Sequence, residues 1–202
     1  TAATESNGPI ELAAEVCRKL LFATAATAGL MHHPYAKEVL ALVRDASQGL
    51  QASVADAEGD IVQANGFYDQ AVKAAVSELQ RTRFMIGQEQ ARLRAGQVNE
   101  SQLATLRGNM DRFQGTRTGY TAVRTYAAAL AALGRTSEAQ VVLQTQLAVL
   151  PPTERDAADQ LGLMLGLIAG EGSSAGRQAF RQLLRSAQRP ETQRLALQLL
   201  VR

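Results

Sequence analysis

The 202-residue sequence is short of the residues that stabilise small or β-rich folds. It has a single cysteine, Cys17, no tryptophan, and only 4% aromatic residues. One cysteine excludes an internal disulfide and leaves the redox compartment open. With so few aromatic residues, the core must be built from alanine, leucine and valine, which suit closely packed helices better than a β-sandwich. The composition therefore favours an all-α protein.

Histidine is equally scarce, and its position argues against a metal site. His32 and His33 are the only histidines. Neighbouring helical residues point about 100° apart, so these two cannot bind one ion as an i, i+4 pair does. Residues 172–176 fit the G-x-S-x-G pattern of a hydrolase nucleophile, but the preceding residues have helical periodicity and no histidine follows His33. We therefore expect no metal, no cofactor and no enzymatic activity, and we interpret residues 172–176 as a turn between helices.

The longest apolar run, residues 20–31, is also short. A membrane-spanning helix needs about 20 apolar residues, so no span is predicted. The terminal residues 1–9 contain no lysine or arginine, which argues against a signal peptide in the sequence as given. The localisation stays open: the cytoplasm is favoured, and the periplasm is the alternative if a signal peptide has been removed. The abundance of arginine and alanine points to a GC-rich, bacterial genome.

Lysine is rare, and arginine carries most of the positive charge. Only three of the 21 basic residues are lysines, and the formal net charge is +2. Residues 1–75 have nine acidic and five basic residues, a net −4, whereas residues 76–202 have ten acidic and sixteen basic residues, a net +6. Arg177, Arg181 and Arg185 recur every fourth position and share one helix face. We interpret this face as solvated surface or as a site for an acidic protein, since +6 is modest for binding nucleic acid.

Hydrophobic residues recur at helical spacing along almost the whole chain, and no segment alternates strictly between apolar and polar residues. The pattern predicts roughly nine or ten helices with short turns, in an α-solenoid or a bundle. The predicted organisation is a flexible tail at residues 1–9, helical hairpins at 10–75, a long hairpin at 76–116, and shorter helices at 117–202.

The middle of the chain has the pattern of an antiparallel coiled-coil-like hairpin. Residues 61–93 form one long amphipathic stretch, and Asn99 with Gln102 predicts a capping box at the start of the next helix. Thr153 with Asp156 predicts a further cap. Apolar residues at heptad-like spacing would form the seam of the hairpin. We assign to this seam, as the candidate assembly surface, Leu79, Ile86, Leu103, Leu106 and Met110.

Residues 120–152 have the pattern of one compact helical hairpin. The small Ala127 and Ala139 permit close helix packing, and Leu143 occupies a large apolar position. Gly134 reverses the chain, and Pro151 ends the second helix. On these residues the segment resembles a tetratricopeptide (TPR) repeat, a unit of about 34 residues. The resemblance implies stacked helix pairs whose first helices line a groove for a peptide or helix of a partner.

Two further segments carry parts of the same pattern, so that the resemblance covers about half of the chain. The second match, within residues 59–75, consists of Gly59, Asp60, Ala64, Tyr68 and Ala71. A third match begins at Leu161 and Gly162, whereas residues 76–116 depart from the pattern. Residues 23–43, with paired histidines between a small-residue helix and an amphipathic helix, resemble the start of the TPR-like chaperones of type III secretion needle subunits.

Two functions follow from these patterns. The first is a non-enzymatic protein-interaction module (an adaptor, scaffold or chaperone) whose best repeat presents Thr121, Arg124 and Ala128 to a partner. Arg124 would bind a carboxylate with two hydrogen bonds, and the small Ala128 leaves room for a helix. The alternative is a structural assembly component, for example of a bacterial secretion system, that self-associates through the hairpin at residues 72–113. The expected partner is therefore another protein or a second copy of the chain.

Overall fold

The computed structural model describes residues 48–201. The expectations for the tail at 1–9, for Cys17, for His32 and His33, and for the needle-chaperone resemblance at 23–43 lie outside the described residues. Within residues 48–201 the protein consists of α-helices joined by short turns and contains no β-strand. The prediction of an all-α fold is confirmed.

Nine helices make up residues 48–201. In chain order they are α1 (Gln48–Ala57), α2 (Ile61–Ala74), α3 (Glu78–Arg94), α4 (Glu100–Arg112), α5 (Arg117–Ala132), α6 (Thr136–Val149), α7 (Arg155–Ala169), α8 (Ser174–Ser186) and α9 (Pro190–Leu200). The chain divides into two compact units between Ala91 and Arg92, inside α3. The first unit contains α1, α2 and most of α3, and the second contains α4 to α9.

The first unit has a core cluster that is rich in small side chains. The cluster consists of Ala52, Ala55, Ala64, Tyr68 and Ala91. The larger Leu50, Val54 and Ile86 are also buried in this unit. Two glycines make room for aromatic rings in this unit. A Cβ added at Gly49 would lie 2.2 Å from the ring of Phe84, and one at Gly87 would lie 2.9 Å from the ring of Tyr68. Alanine and glycine thus let the few aromatic rings pack directly against helix backbones.

The amphipathic stretch at residues 61–93 is not one helix, so that expectation is corrected. α2 and α3 are separated by extended backbone at Ala75, where ψ is 125°. The Gln80 backbone N–H donates to the Ser77 hydroxyl, and the Val76 N–H donates to the Gln80 side-chain oxygen, each at 3.1 Å. The first is the bond of a serine helix cap, and in the second the glutamine side chain reaches back to the residue before that cap. The apolar periodicity continues across the break, which is why it suggests a single helix.

The second unit contains two rows of helices. Each helix from α4 to α9 packs against the next one along the chain, and in addition α5 packs on α7 and α7 on α9. By contrast, no Cα of α4, α6 or α8 lies within 8 Å of a Cα in another of these three. The odd-numbered helices therefore form a closed row and the even-numbered helices an open row. Such stacking of helical hairpins is typical of α-solenoids.

The turn after α1 and the turn after α5 have the same geometry. Gly59 and Gly134 have positive φ, 80° and 77°. In both turns the glycine N–H donates to the carbonyl three residues earlier at 3.0 Å, and the next N–H donates to the carbonyl five residues earlier at 2.9 Å. This is the glycine cap that commonly ends helices. The predicted turn at Gly134 is confirmed, and Gly59 ends α1 in the same way.

One of the two predicted helix caps is present. The Gln102 backbone N–H donates to the Asn99 side chain at 3.2 Å, and the Asn99 N–H donates to the Gln102 side chain at 2.7 Å, which completes a capping box at α4. The predicted cap at Thr153 is wrong. Glu154 is the residue that precedes α7, and its side chain makes no capping hydrogen bond.

Candidate functional site

One side of α5 is open to solvent, and it is the side assigned to partner binding. Thr121, Arg124 and Ala128 are partly exposed, and their spacing of three and four residues places them on one helical face. The structure therefore brings the three predicted residues together. The other faces of α5 are buried, where α5 packs against α4, α6 and α7, through Ala122, Val123, Tyr126, Ala127, Ala129 and Leu130.

Arg124 is a partly desolvated cation without a carboxylate partner in residues 48–201. Its Nη1 donates to the Oε1 of Gln160 on α7. Burial lowers the pKa of the guanidinium below its usual value. A guanidinium has five N–H donors, and a neutral amide compensates its charge less well than a carboxylate does. Arg124 is therefore suited to receive a carboxylate from outside the described part of the chain.

Tyr120 lies one helical turn before Arg124, and the sequence interpretation did not single it out. Its side chain is buried, and its hydroxyl makes no hydrogen bond within the described residues. Burial raises the pKa of the phenol first, and the negative charge of Glu154 raises it further. A buried hydroxyl without a partner is costly, so this end of α5 holds an unused donor beside the Arg124 face. The sequence does not reveal this unpaired hydroxyl, because a tyrosine in an apolar helix has the pattern of an ordinary core residue.

The carboxylates of α7 serve the fold. The Nε of Arg189 donates to Oδ1 of Asp156 at 2.9 Å, and its Nη2 donates to the second oxygen of the same carboxylate. The buried Asp159 accepts a hydrogen bond from the Gln188 backbone N–H at 3.2 Å. Both aspartates therefore fix the turn between α8 and α9 to α7, and neither pairs with Arg124.

The three arginines of α8 form an exposed stripe. Arg177, Arg181 and Arg185 are exposed, and none of them forms an ion pair within residues 48–201. On the opposite side of α8, Phe180 and Leu183 are buried in the core of the second unit. The stripe is therefore a positively charged surface separate from the open side of α5. Its role in binding an acidic partner stays a prediction.

The five residues assigned to the assembly seam differ in exposure. Ile86, Leu103 and Leu106 are buried, with 2%, 4% and 1% of their surface exposed, whereas Leu79 is 38% exposed. Met110 is partly buried and lines a groove of about 380 Å³ between α4 and α6. Most of the predicted seam is therefore used for folding of the single chain, and Leu79 and Met110 are its accessible members.

Ser173, which directly precedes Ser174 of the G-x-S-x-G pattern, caps α8. Its hydroxyl donates to the Gly170 carbonyl at 2.9 Å and accepts from the Gly176 N–H at 2.9 Å. Thr116 makes the same two bonds at the start of α5, to the Phe113 carbonyl at 2.7 Å and from the Gly119 N–H at 3.1 Å. The predicted helix-to-helix turn is present but ends earlier: residues 170–173 connect α7 to α8, and residues 174–176 form the first turn of α8. A helix, not a strand, precedes this turn.

Residues 48–201 contain no group of three or more histidine, cysteine, aspartate or glutamate side chains arranged to hold a metal ion. Among the helices of this part, none combines the length and apolar character needed to cross a membrane. The chain matches no protein-family model, and no curated protein or solved structure is detectably similar to it.

Proposed function

We propose that the protein is a non-enzymatic interaction module of the helical-repeat type, which captures a peptide or helix of a partner protein on the open side of α5. The observation that carries this proposal is Arg124. It is partly buried, is held by a neutral amide, and faces solvent between two small neighbours, Thr121 and Ala128. A carboxylate on the partner would complete the pairing of this guanidinium with two parallel hydrogen bonds.

The packing within α5 and α6 supports a TPR-like assignment for this hairpin. Ala127 and Ala139 are fully buried, as close packing of two helices requires, and Leu143 is buried with them. Gly134 has the positive φ of a helix-ending turn. In the next hairpin, a Cβ at Gly162 would lie 3.1 Å from Leu183, so this small residue brings α8 close to α7. Stacked pairs of this kind present the first helix of each pair along one surface.

Partner capture tests the proposal. The full chain carrying Arg124→Glu is compared with wild type for retention of proteins from a lysate of the source cells. Arg194→Glu on the exposed side of α9 makes the same charge change away from α5 and is the matched control. We expect one protein to be retained by wild type and by Arg194→Glu and lost with Arg124→Glu, while circular dichroism shows unchanged helix content. Retention of that protein by Arg124→Glu would contradict the proposal.

The alternative function is self-assembly through the middle hairpin. What favours it is the exposure of Leu79 together with the groove at Met110, where the neighbouring Val141 is 60% exposed. Size-exclusion chromatography with light scattering measures the mass of the protein in solution directly. A dimer that dissociates with Leu79→Glu or Met110→Glu would favour assembly, and a monomer of 21.6 kDa at all concentrations would reject it.

A further inference from the structure

A groove of about 480 Å³ lies on the open row of the second unit, between α6 and α8 with α7 as its floor. Both α6 and α8 pack on α7, but they stay apart from each other. The floor is small and apolar, with Ala158, Gly162 and Leu165 at helical spacing. The groove is distinct from the proposed partner face, because that face lies on α5.

Four glutamines line the two walls of this groove. Gln140 and Gln144 are on α6, and Gln178 and Gln182 are on α8. None of the four side-chain amides makes a hydrogen bond within the described part of the chain. Because each amide carries both a donor group and an acceptor oxygen, each can pair with the N–H and the C=O of a peptide group at the same time.

The spacing of the glutamines fits an extended backbone. Residues four apart on a helix are about 6 Å apart along its axis, and both walls carry a glutamine pair of that spacing. In an extended chain, residues two apart lie about 6.7 Å apart and present their peptide groups to the same side. An extended segment lying along the groove would therefore place successive peptide groups opposite successive glutamines, with alternate side chains directed at the floor.

The charge of the lining selects an uncharged occupant. Asp159 is the only charged residue among those that line the groove, and its carboxylate is buried and accepts a hydrogen bond from the Gln188 N–H. The arginine stripe of α8 is absent from the lining. A charged side chain placed over this floor would lose water without gaining an ionic partner, which is unfavourable.

We propose that the α6–α8 groove binds an extended, uncharged segment of a partner protein, with its backbone amides paired to the four glutamines and small apolar side chains on the floor. A helical segment fits the two walls less well, since its backbone groups are already hydrogen-bonded within the helix and leave the glutamine amides without partners.

The test uses the full chain and the capped hexapeptide Ac-Ala-Thr-Val-Thr-Ala-Thr-NH2, whose alternating pattern suits a one-sided extended strand. Titration is followed by the NMR signals of the glutamine side-chain amides. We expect the signals of Gln144 and Gln182 to shift and saturate. The double variant Gln144→Ala/Gln182→Ala, with one change on each wall, should weaken binding about tenfold, and N-methylation of the peptide groups that face the rim should do the same.

Two further variants separate a specific site from a general effect. Gln198→Ala removes an exposed glutamine on α9 and should leave the affinity unchanged. Ala158→Leu fills the floor without touching the amides and should also weaken binding. The proposal is overturned if the hexapeptide shifts none of these signals at millimolar concentration, or if an α-aminoisobutyrate-containing helical peptide of the same length binds more tightly. It is equally overturned if the signals shift with protein concentration alone, because a second copy would then fill the groove.

Discussion

Helices α5 and α8 begin with the same five-residue pattern, a glycine, a hydroxyl residue, two variable residues and a second glycine. The pattern is Gly-Thr-Arg-Thr-Gly at residues 115–119 and Gly-Ser-Ser-Ala-Gly at residues 172–176. In both places the hydroxyl caps the new helix and also bonds to a carbonyl at the end of the preceding helix. A Cβ on the second glycine would lie 2.1 Å from that carbonyl oxygen in both places.

The two starts differ in how closely the helices approach. At Gly119 the added Cβ would meet the backbone next to Phe113, whereas at Gly176 it would also lie 3.0 Å from the carbonyl oxygen of Gly166. Gly166 itself accommodates the ring of Phe180, 2.4 Å from its added Cβ. The comparison teaches that a glycine, a capping hydroxyl and a second glycine form, in this chain, a repeated device for docking one helix on the end of another.

The largest effect is expected from filling the second glycine of either pattern. Gly119→Ala and Gly176→Ala should each lower the free energy of unfolding by about 3 kcal/mol, because the added methyl group overlaps a backbone carbonyl that cannot move without shifting a helix. Chemical denaturation followed by circular dichroism measures this. Gly108→Ala is the control, since no atom lies within 4 Å of its added Cβ, and it should stabilise the protein by about 0.5 to 1 kcal/mol. If Gly119→Ala leaves the free energy of unfolding unchanged, the contact between the second glycine and the preceding carbonyl does not determine this helix start.

The closer approach of α8 gives the next prediction. Gly166→Ala should cost about 2 kcal/mol of stability, because its methyl group meets the buried ring of Phe180. In Phe180→Leu the ring is gone, so the same glycine substitution should cost less than in the wild-type background. Equal costs in both backgrounds, measured by unfolding of the four proteins, would show that the ring is not what requires Gly166.

The hydroxyl cap gives a smaller effect. Thr116→Ala and Ser173→Ala should each cost about 1 kcal/mol, the usual loss when a capping side chain is removed. Exchange of the two hydroxyl residues, Thr116→Ser and Ser173→Thr, should leave the unfolding midpoint close to wild type. If exchange is as damaging as alanine, then side-chain shape and not the shared hydrogen bonds determines these helix starts.

The smallest effect is expected at the turn before α6, where one arginine pairs with two glutamates. The start of α8 has no such pair of salt bridges within the described residues. Arg135 pairs with Glu138 at 2.7 Å and with Glu100 at 3.0 Å. The hydrogen bond from Arg135, and then its charge, lower the pKa of Glu138. A lowered carboxyl pKa stabilises the fold above the unfolded pKa and ceases to do so as the pH falls through the folded pKa. Arg135→Gln should therefore lower Tm slightly at pH 7 and not at pH 2; an equal loss at both values would contradict the ionic origin.

Local patterns predicted local structure well. The glycine turns and the Asn99 capping box depend on residues within two helical turns of one another, and the structure has both. The break at 75–77 leaves the hydrophobic periodicity intact, so periodicity alone predicts one helix, although Ser77 and Gln80 form a start signal.

What depends on distant residues could not be predicted. The hydrogen bond between Arg124 and Gln160 joins positions 36 residues apart. Likewise, Gly119 and Gly176 are required because a carbonyl of the preceding helix lies against them, and no spacing along the chain reveals such an approach. The groove between α6 and α8 arises in the same way, since its walls meet only through α7.

The central claim is that Arg124 on the open side of α5 binds a carboxylate of a partner protein. A double-mutant cycle tests it most directly, once the captured segment is known. Calorimetric titration compares wild type and Arg124→Gln, each with the native segment and with its acidic residue replaced by the corresponding amide. We predict a coupling free energy of about 2 kcal/mol or more, as found for close charge pairs at interfaces. Additive effects of the two changes would contradict the account.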